Sequence, residues 1–306
     1  MAIPWLDIKG LSLDRGNRRV LNGINAQLSG RSVGLVGANG AGKTTLIGAM
    51  LGVLHFHSGS LRVLDIDIPR GALQLRARAG VMAEQAGVFP GGSAVDAVSF
   101  AGTLNGLPYR EALRRAHRTL DALGVGEERY RSTSEYSTGM RQKCKLAMSL
   151  VHDPELLILD EPTVGLDPGT RKQLLELIVE LRDRGVRILL STHIMQDAEV
   201  ACDEMLLLDA GRVSFCGPTT SLLGRKEELL IARGNGIGDD FAAKLRAQDV
   251  AVEHVESGRI VLGSDREAVR KFWALAAQES IVVRSLNTQS RSLEEAVIEL
   301  MEADHV

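Results

Sequence analysis

Nine residues, Gly37-Ala38-Asn39-Gly40-Ala41-Gly42-Lys43-Thr44-Thr45, constrain the fold of this chain more than any other stretch. They follow Ser32-Val33-Gly34-Leu35-Val36, which reads as a buried strand, and they open Thr44 to Leu54, which reads as a helix. A strand running through a glycine loop into a helix is half of a strand–helix–strand unit, and such units build parallel sheets flanked by helices. The glycines let backbone N–H groups curl inward without Cβ clashes, and the helix adds its positive dipole end. The loop is thus a cradle for phosphate. In that cradle Lys43 reaches the β and γ phosphates of a nucleoside triphosphate, and the Thr44 hydroxyl is placed to ligate Mg2+.

Leu156-Leu157-Ile158-Leu159-Asp160-Glu161 ends a second apolar strand in two carboxylates. Asp160 suits the outer shell of a metal. Glu161 points where a water would attack the γ-phosphate and is the candidate general base; the competing reading is an acidic pair that caps the next helix. His193 lies 32 residues beyond Glu161, within Ser191-Thr192-His193 after the strand Arg187–Leu190. It is placed to hold γ-phosphate and Glu161 in geometry. The other six histidines have no motif around them.

The chain has 306 residues, 44% of them hydrophobic, enough for one large domain and a smaller one. A net charge of −3 offers no global basic field for nucleic acid. Three cysteines, Cys144, Cys202 and Cys216, are odd in number and not at metal-ligand spacing, which reads as free thiols in a reducing compartment. The N-terminus lacks the pattern of a secretory signal, and the apolar runs are only strand-length. The expected location is cytoplasmic.

From Ile3 to about Thr219 short β runs alternate with helical stretches, among them the amphipathic Leu174, Leu175, Ile178 and Leu181. After Gly217-Pro218 the texture changes. Strands are expected at Glu228–Arg233, Val250–Val255, Arg259–Leu262 and Ile281–Leu286. Helices are expected at Asp239–Gln248, at Asp265–Gln278 (with Val269, Phe272, Trp273 and Ala276 on one face) and at Ser292–Glu302. This βαββαβ order suggests a small ferredoxin-like α+β domain over residues 221–306, following a phosphate-loop α/β domain over residues 1–220.

Between phosphate loop and acidic strand lies Tyr136-Ser137-Thr138-Gly139-Met140-Arg141-Gln142, which alone reads as a helix N-cap turn. With the phosphate loop, Asp160-Glu161-Pro162-Thr163, Gly165-Leu166-Asp167-Pro168 and His193 in this order, the first 220 or so residues resemble the nucleotide-binding subunit of an ABC transporter. The Tyr-Ser-Thr-Gly-Met form, Asp197-Ala198-Glu199 after His193, and the terminal Ser292-Leu293-Glu294-Glu295-Ala296-Val297 resemble the exporter branch that works with ABC-2-type permeases. The resemblance implies a RecA-like core with a helical subdomain over about residues 86–150. It implies ATP and Mg2+ as cofactors, a homodimer or paired cassette closed by ATP, and a separate polytopic membrane permease that keeps the chain on the cytoplasmic membrane face. Ser137, Thr138 and Gly139 of one subunit would then bind the γ-phosphate held by the other, with Asp167 of the D-loop beside it.

Two positions depart from the family pattern. Where an aromatic residue usually stacks on adenine, Arg15 precedes Gly16; its guanidinium can stack on a base or sit solvated in a turn. In the slot of the glutamine that senses γ-phosphate and metal stands Glu84, with Gln85 next; either can be the sensor. The stretch Gln85–Leu123, with Tyr109 and the basic Arg110–Arg118, either docks a permease helix or forms a solvated face. Soluble ABC proteins acting on ribosomes or nucleic acid are the alternative class. Only 94 positions separate Lys43 from Ser137, without sustained heptads, and the chain holds one cassette, both of which argue against it.

Overall fold

The computed structural model describes residues 3–84, 87, 92–222, 228–263, 266–290 and 297. The chain divides into two compact units near Thr219, each with its own core.

The first unit opens with two long antiparallel strands, β1 (Leu6–Arg15) and β2 (Arg18–Leu28), before β3 (Ser32–Val36) and α1 (Lys43–Met50). Then come β4 (Ser58–Val63), β5 (Ile66–Ile68), α2 (Ala72–Arg78) and β6 (Ala79–Met82). Three helices follow: α3 (Ala94–Leu104), α4 (Tyr109–Ala122) and α5 (Thr138–Leu150). The unit closes with β7 (Leu156–Asp160), α6 (Pro168–Asp183), β8 (Arg187–Thr192), α7 (Met195–Ala201), β9 (Glu204–Asp209) and β10 (Arg212–Pro218).

Two sheets result. The antiparallel sheet runs β2-β1-β4-β5, and the six-stranded sheet runs β10-β9-β3-β8-β7-β6 with every pairing parallel except that of β10 with β9. All five residues of β3 and of β7 are buried, as strands covered on both faces must be. Register decides where chemistry can occur. Val36 pairs with Thr192 and Asp160 with Ser191, so β3, β7 and β8 end at one level and deliver their following loops to one edge. Such carboxyl ends are where open parallel sheets bind ligands.

After the single turn α8 (Thr219–Leu222), the second unit runs β11 (Glu228–Asn235), α9 (Asp239–Arg246), β12 (Val252–Glu256), β13 (Arg259–Gly263), α10 (Arg266–Gln278) and β14 (Val282–Ser290). Its antiparallel order β12-β13-β11-β14 is the ferredoxin-like arrangement expected from βαββαβ. Phe241 of α9 and Phe272 of α10 meet edge to face at 5.8 Å in its core.

Several expected bounds move. The helix after the phosphate loop stops at Met50 rather than Leu54, because Gly52 (φ +64) turns the chain and Val53 N–H bonds back to Gly48 O. The second and fourth strands of the small unit sit later, at Val252–Glu256 and Val282–Ser290. Trp273 does not share the core face with Phe272: it is 46% exposed and only its edge meets the phenyl ring, since adjacent helical positions diverge by about 100°. The antiparallel β2-β1-β4-β5 sheet had no separate sequence expectation. The expected helix Ser292–Glu302 lies outside the described residues except for Val297, which is buried.

Candidate functional site: a phosphate-loop cleft

The loop between β3 and α1 depends on glycine at two positions in particular. Gly42 has φ +111, which an L side chain rarely adopts, and a Cβ at Gly37 would lie 2.3 Å from the carbonyl oxygen of Leu208. Lys43 folds back over the loop, its Nζ donating to Gly37 O at 2.7 Å and to Ala38 O at 3.4 Å. The same ammonium lies 3.2 Å from Glu161 Oε1, and both side chains are buried.

Glu161 is the next residue after β7. Its backbone is left-handed (φ +51) and its N–H donates to Ser191 O at 3.0 Å, which turns the side chain out of the strand line. Its Oε2 lies 2.9 Å from His193 Nδ1, so a tautomer protonated at Nδ1 donates to the carboxylate. One carboxylate thus joins the loop after β3, the end of β7 and the loop after β8. Thr44 Oγ1 donates to Asp160 Oδ2 at 3.2 Å, while Asp160 Oδ1 is buried and accepts no hydrogen bond.

A cleft of about 550 Å3 opens over these groups. Of the residues expected from sequence, Arg15, Ala38, Asn39, Gly40, Gly42, Lys43, Thr44, Thr45, Glu84, Glu161 and His193 line it. Gly37 and Ala41 are buried beneath the loop, and Asp160 adjoins through Thr44. Gln85 lies outside the described residues.

Ser137, Thr138, Gly139 and Asp167 stand apart from the cleft lining. Ser137 caps α5, its Oγ accepting from Met140 N–H at 3.3 Å. Asp167 caps α6, with Oδ1 accepting from Gly169 and Thr170 N–H; its bonds to Thr170, side chain first, hold the carboxyl below its ordinary range. A Cβ on Gly139 would come 2.5 Å from Thr170 Cγ2, so the two capped helix starts touch where glycine alone leaves room.

Sequence reasoning missed three features. Arg18, Arg19 and Val20 of β2, with Val164 and Ala210, also line the cleft. Asp197, fully buried, accepts from Thr163 Oγ1 at 2.5 Å and from Arg171 Nε at 2.6 Å, tying the turn after Glu161 to α6 and α7. Lys145 of α5 donates from Nζ to Glu84 O at 3.1 Å, and burial holds its ammonium below the ordinary lysine value. Only Asp197 left a signal, an acid within the first turn of a short helix after His193.

The fold and the site define a class: a phosphate-loop α/β protein whose loop faces a strand-end glutamate and a histidine. A family model described as "ABC transporter" matches residues 21–164. The linearmycin resistance ATP-binding protein LnrL of Bacillus subtilis is 30% identical over 293 residues, covering 93% of this chain and 94% of that protein. The chain therefore belongs to the ABC transporter family, among its ATP-binding proteins. The daunorubicin/doxorubicin resistance ATP-binding protein DrrA of Streptomyces peucetius is 34% identical over 71% of this chain and 66% of its own length. Among solved structures, cbiO1 of Clostridium perfringens, part of the cbiONQ transporter complex, aligns with TM-score 0.66 and 28% identity over 74% of this chain and 92% of its own.

Proposed function

We propose that this chain binds and hydrolyses ATP as the cytoplasmic subunit of an ABC-2-type exporter, paired through ATP with a second cassette and coupled to a separate membrane permease. The observation that carries the reading is Glu161 held between Lys43 and His193 above the phosphate loop. Lys43 ties up the carboxylate at 3.2 Å. A γ-phosphate beside Lys43 would compete for the ammonium and leave Glu161 free to take a proton from the attacking water. His193 keeps the carboxylate oriented for that transfer.

Thr44 and Asp160 suit a small hard cation, because Asp160 Oδ1 is a buried acceptor without a hydrogen bond. Among the described residues no cluster of three or more His, Cys, Asp or Glu could hold a metal, which agrees with an ion that takes its remaining ligands from phosphate and water. Mg2+ in that place supplies neutralisation of phosphate charge.

The positions of Ser137 and Gly139, away from the chain's own cleft, support a site completed by a second copy. Among the described residues no helix is long and apolar enough to cross a membrane, which supports a separate permease. A groove of about 310 Å3 beside α3, lined in part by Gly92, Asp96, Phe100, Thr103 and Tyr109, offers room for a few apolar side chains of such a partner. Phe100 and Tyr109 are 43% and 65% exposed there. The names of LnrL, DrrA and the Nod factor export ATP-binding protein I of Ralstonia nicotianae, 34% identical over 69% of this chain, support the exporter branch.

Turnover with Mg2+ and ATP tests the reading. Lys43→Ala is expected to lose nucleotide binding. Glu161→Gln is expected to bind ATP and dimerise while hydrolysis falls about 10²–10⁴-fold. A wild-type rate in Glu161→Gln sinks the base assignment. Tagged Glu161→Gln protein, loaded with Mg2+ and ATP, should retain a multi-span protein from solubilised host membranes; recovery of ribosomes or DNA instead sinks the exporter reading.

A further inference from the structure

Two carboxylates line the cleft, Glu161 and Glu84. An anion beside a polyphosphate repels it unless a cation stands close by. Glu161 is held by Lys43 at 3.2 Å and by His193 at 2.9 Å. Glu84, on the loop after β6, has no such partner: among the described residues no ion pair within 4 Å holds its side chain.

One cation reaches this loop from another element. Lys145, two turns into α5, donates from Nζ to the Glu84 carbonyl oxygen at 3.1 Å. An ammonium carries three donors, and this bond uses one of them. The lysine itself is half-buried and stands outside the cleft lining, so no phosphate is needed to explain its place. Burial, the largest effect, disfavours its charge; the Glu84 carboxylate favours it, and Arg141, one turn earlier on α5, opposes it. The carboxylate and the ammonium therefore act on each other although they do not touch.

We propose that Lys145 is a positioning residue for Glu84: it holds the loop after β6 against α5 and supplies the positive charge that lets a second carboxylate stand in the nucleotide cleft. This proposal rests on the functional reading above and adds a residue from outside the cleft to it. A lysine that served only as a strap would need the bond to the carbonyl oxygen and nothing more, whatever side chain residue 84 carried. A lysine that supplies counter-charge matters only while residue 84 is an anion.

Steady-state turnover of the whole chain over a range of MgATP concentrations separates the two roles. Lys145→Met keeps the apolar stem and removes the charge and the donors. It should raise the KM for MgATP about 5- to 10-fold while kcat stays within about 2-fold, because an uncompensated Glu84 repels the incoming phosphates. Adding Glu84→Gln should bring KM back to within about 2-fold of wild type, since the anion is gone. Lys145→Arg, which keeps the charge, should retain the wild-type KM. The KM gap between Lys145→Met and wild type should also narrow at about 0.5 M salt, where charge effects are screened. A KM equally raised in Lys145→Met with and without Glu84→Gln overturns the proposal and leaves a strap. A wild-type KM in Lys145→Met overturns it as well, as does a loss confined to kcat. Turnover that survives Lys43→Ala instead sinks the functional reading, a result that none of the Lys145 variants can produce.

Discussion

Glu161 is the residue at which backbone and chemistry conflict. Its φ of +51 costs an L residue roughly 1–2 kcal/mol, a strain held by Ser191 O, Lys43 and His193. Glycine pays no such penalty. Glu161→Ala keeps the strain and loses the ion pair, whereas Glu161→Gly loses both. Glu161→Gly should therefore be the more stable by about 1 kcal/mol in denaturant unfolding, while both variants lose hydrolysis. Equal stability of the two would mean that the backbone relaxes without the side chain. The place of this carboxylate at a strand end was legible in the sequence, because Asp160-Glu161 ends an apolar run. The strained φ was not, since a carbonyl on the neighbouring strand imposes it. Asp197 showed in the sequence only by its place after His193; the contacts that tie it to the site were not legible, because Thr163 and Arg171 are brought to it only by folding.

At the scale of elements, α5 meets α6 at its start and β6 at its end. Gly139→Ala would place a methyl 2.5 Å from Thr170 Cγ2, against a β-branched side chain with little freedom to turn away. We expect a loss of about 1–3 kcal/mol, largely recovered in the double variant with Thr170→Ser; no coupling in the four-way comparison would mean that the helices move apart freely. Just past the other end, His152 Nε2 bonds to Ala79 O at 3.2 Å and its Nδ1 is buried without a partner. Burial holds this imidazole below its ordinary 6.5, against a smaller opposing effect of the Ala79 bond. The fold thus prefers the neutral ring, so its contribution is fully present above pH 6.5 and is lost as the pH falls through the lower folded value. Urea midpoints measured from pH 7.5 to 5 should drop less in His152→Asn than in the parent. An identical drop would assign the pH dependence to other groups. The start of α5 could be expected from Ser137-Thr138-Gly139, whose cap is local; the contacts with Thr170 and Ala79 could not, being set by sheet order.

Among the described residues two hydrophobic cores share no residue, one around the paired sheets of the first unit and one beneath the β12-β13-β11-β14 sheet. The parallel half of the first unit could be read from apolar strand runs and the phosphate loop. Its antiparallel sheet could not, because β1 pairs with β4 across about fifty residues that include the loop itself. The small unit was read from strand–helix order alone, and its one wrong face, at Trp273, arose because neighbouring aromatic residues look alike to a periodicity argument. Phe272 separates the two cores experimentally. It is fully buried, meets Phe241 and Trp273 edge to face, and belongs to the small core only. Phe272→Ala should cost that unit about 3–5 kcal/mol, a large share of what an 85-residue domain has to lose. Hydrogen exchange in β11, β13 and β14 should then rise steeply while β3, β7 and β8 stay protected, and the affinity for ATP should remain within about 2-fold of wild type. If protection in β3 and nucleotide affinity fell together with the small sheet, the units would be one cooperative structure and Phe272 part of what supports the cleft.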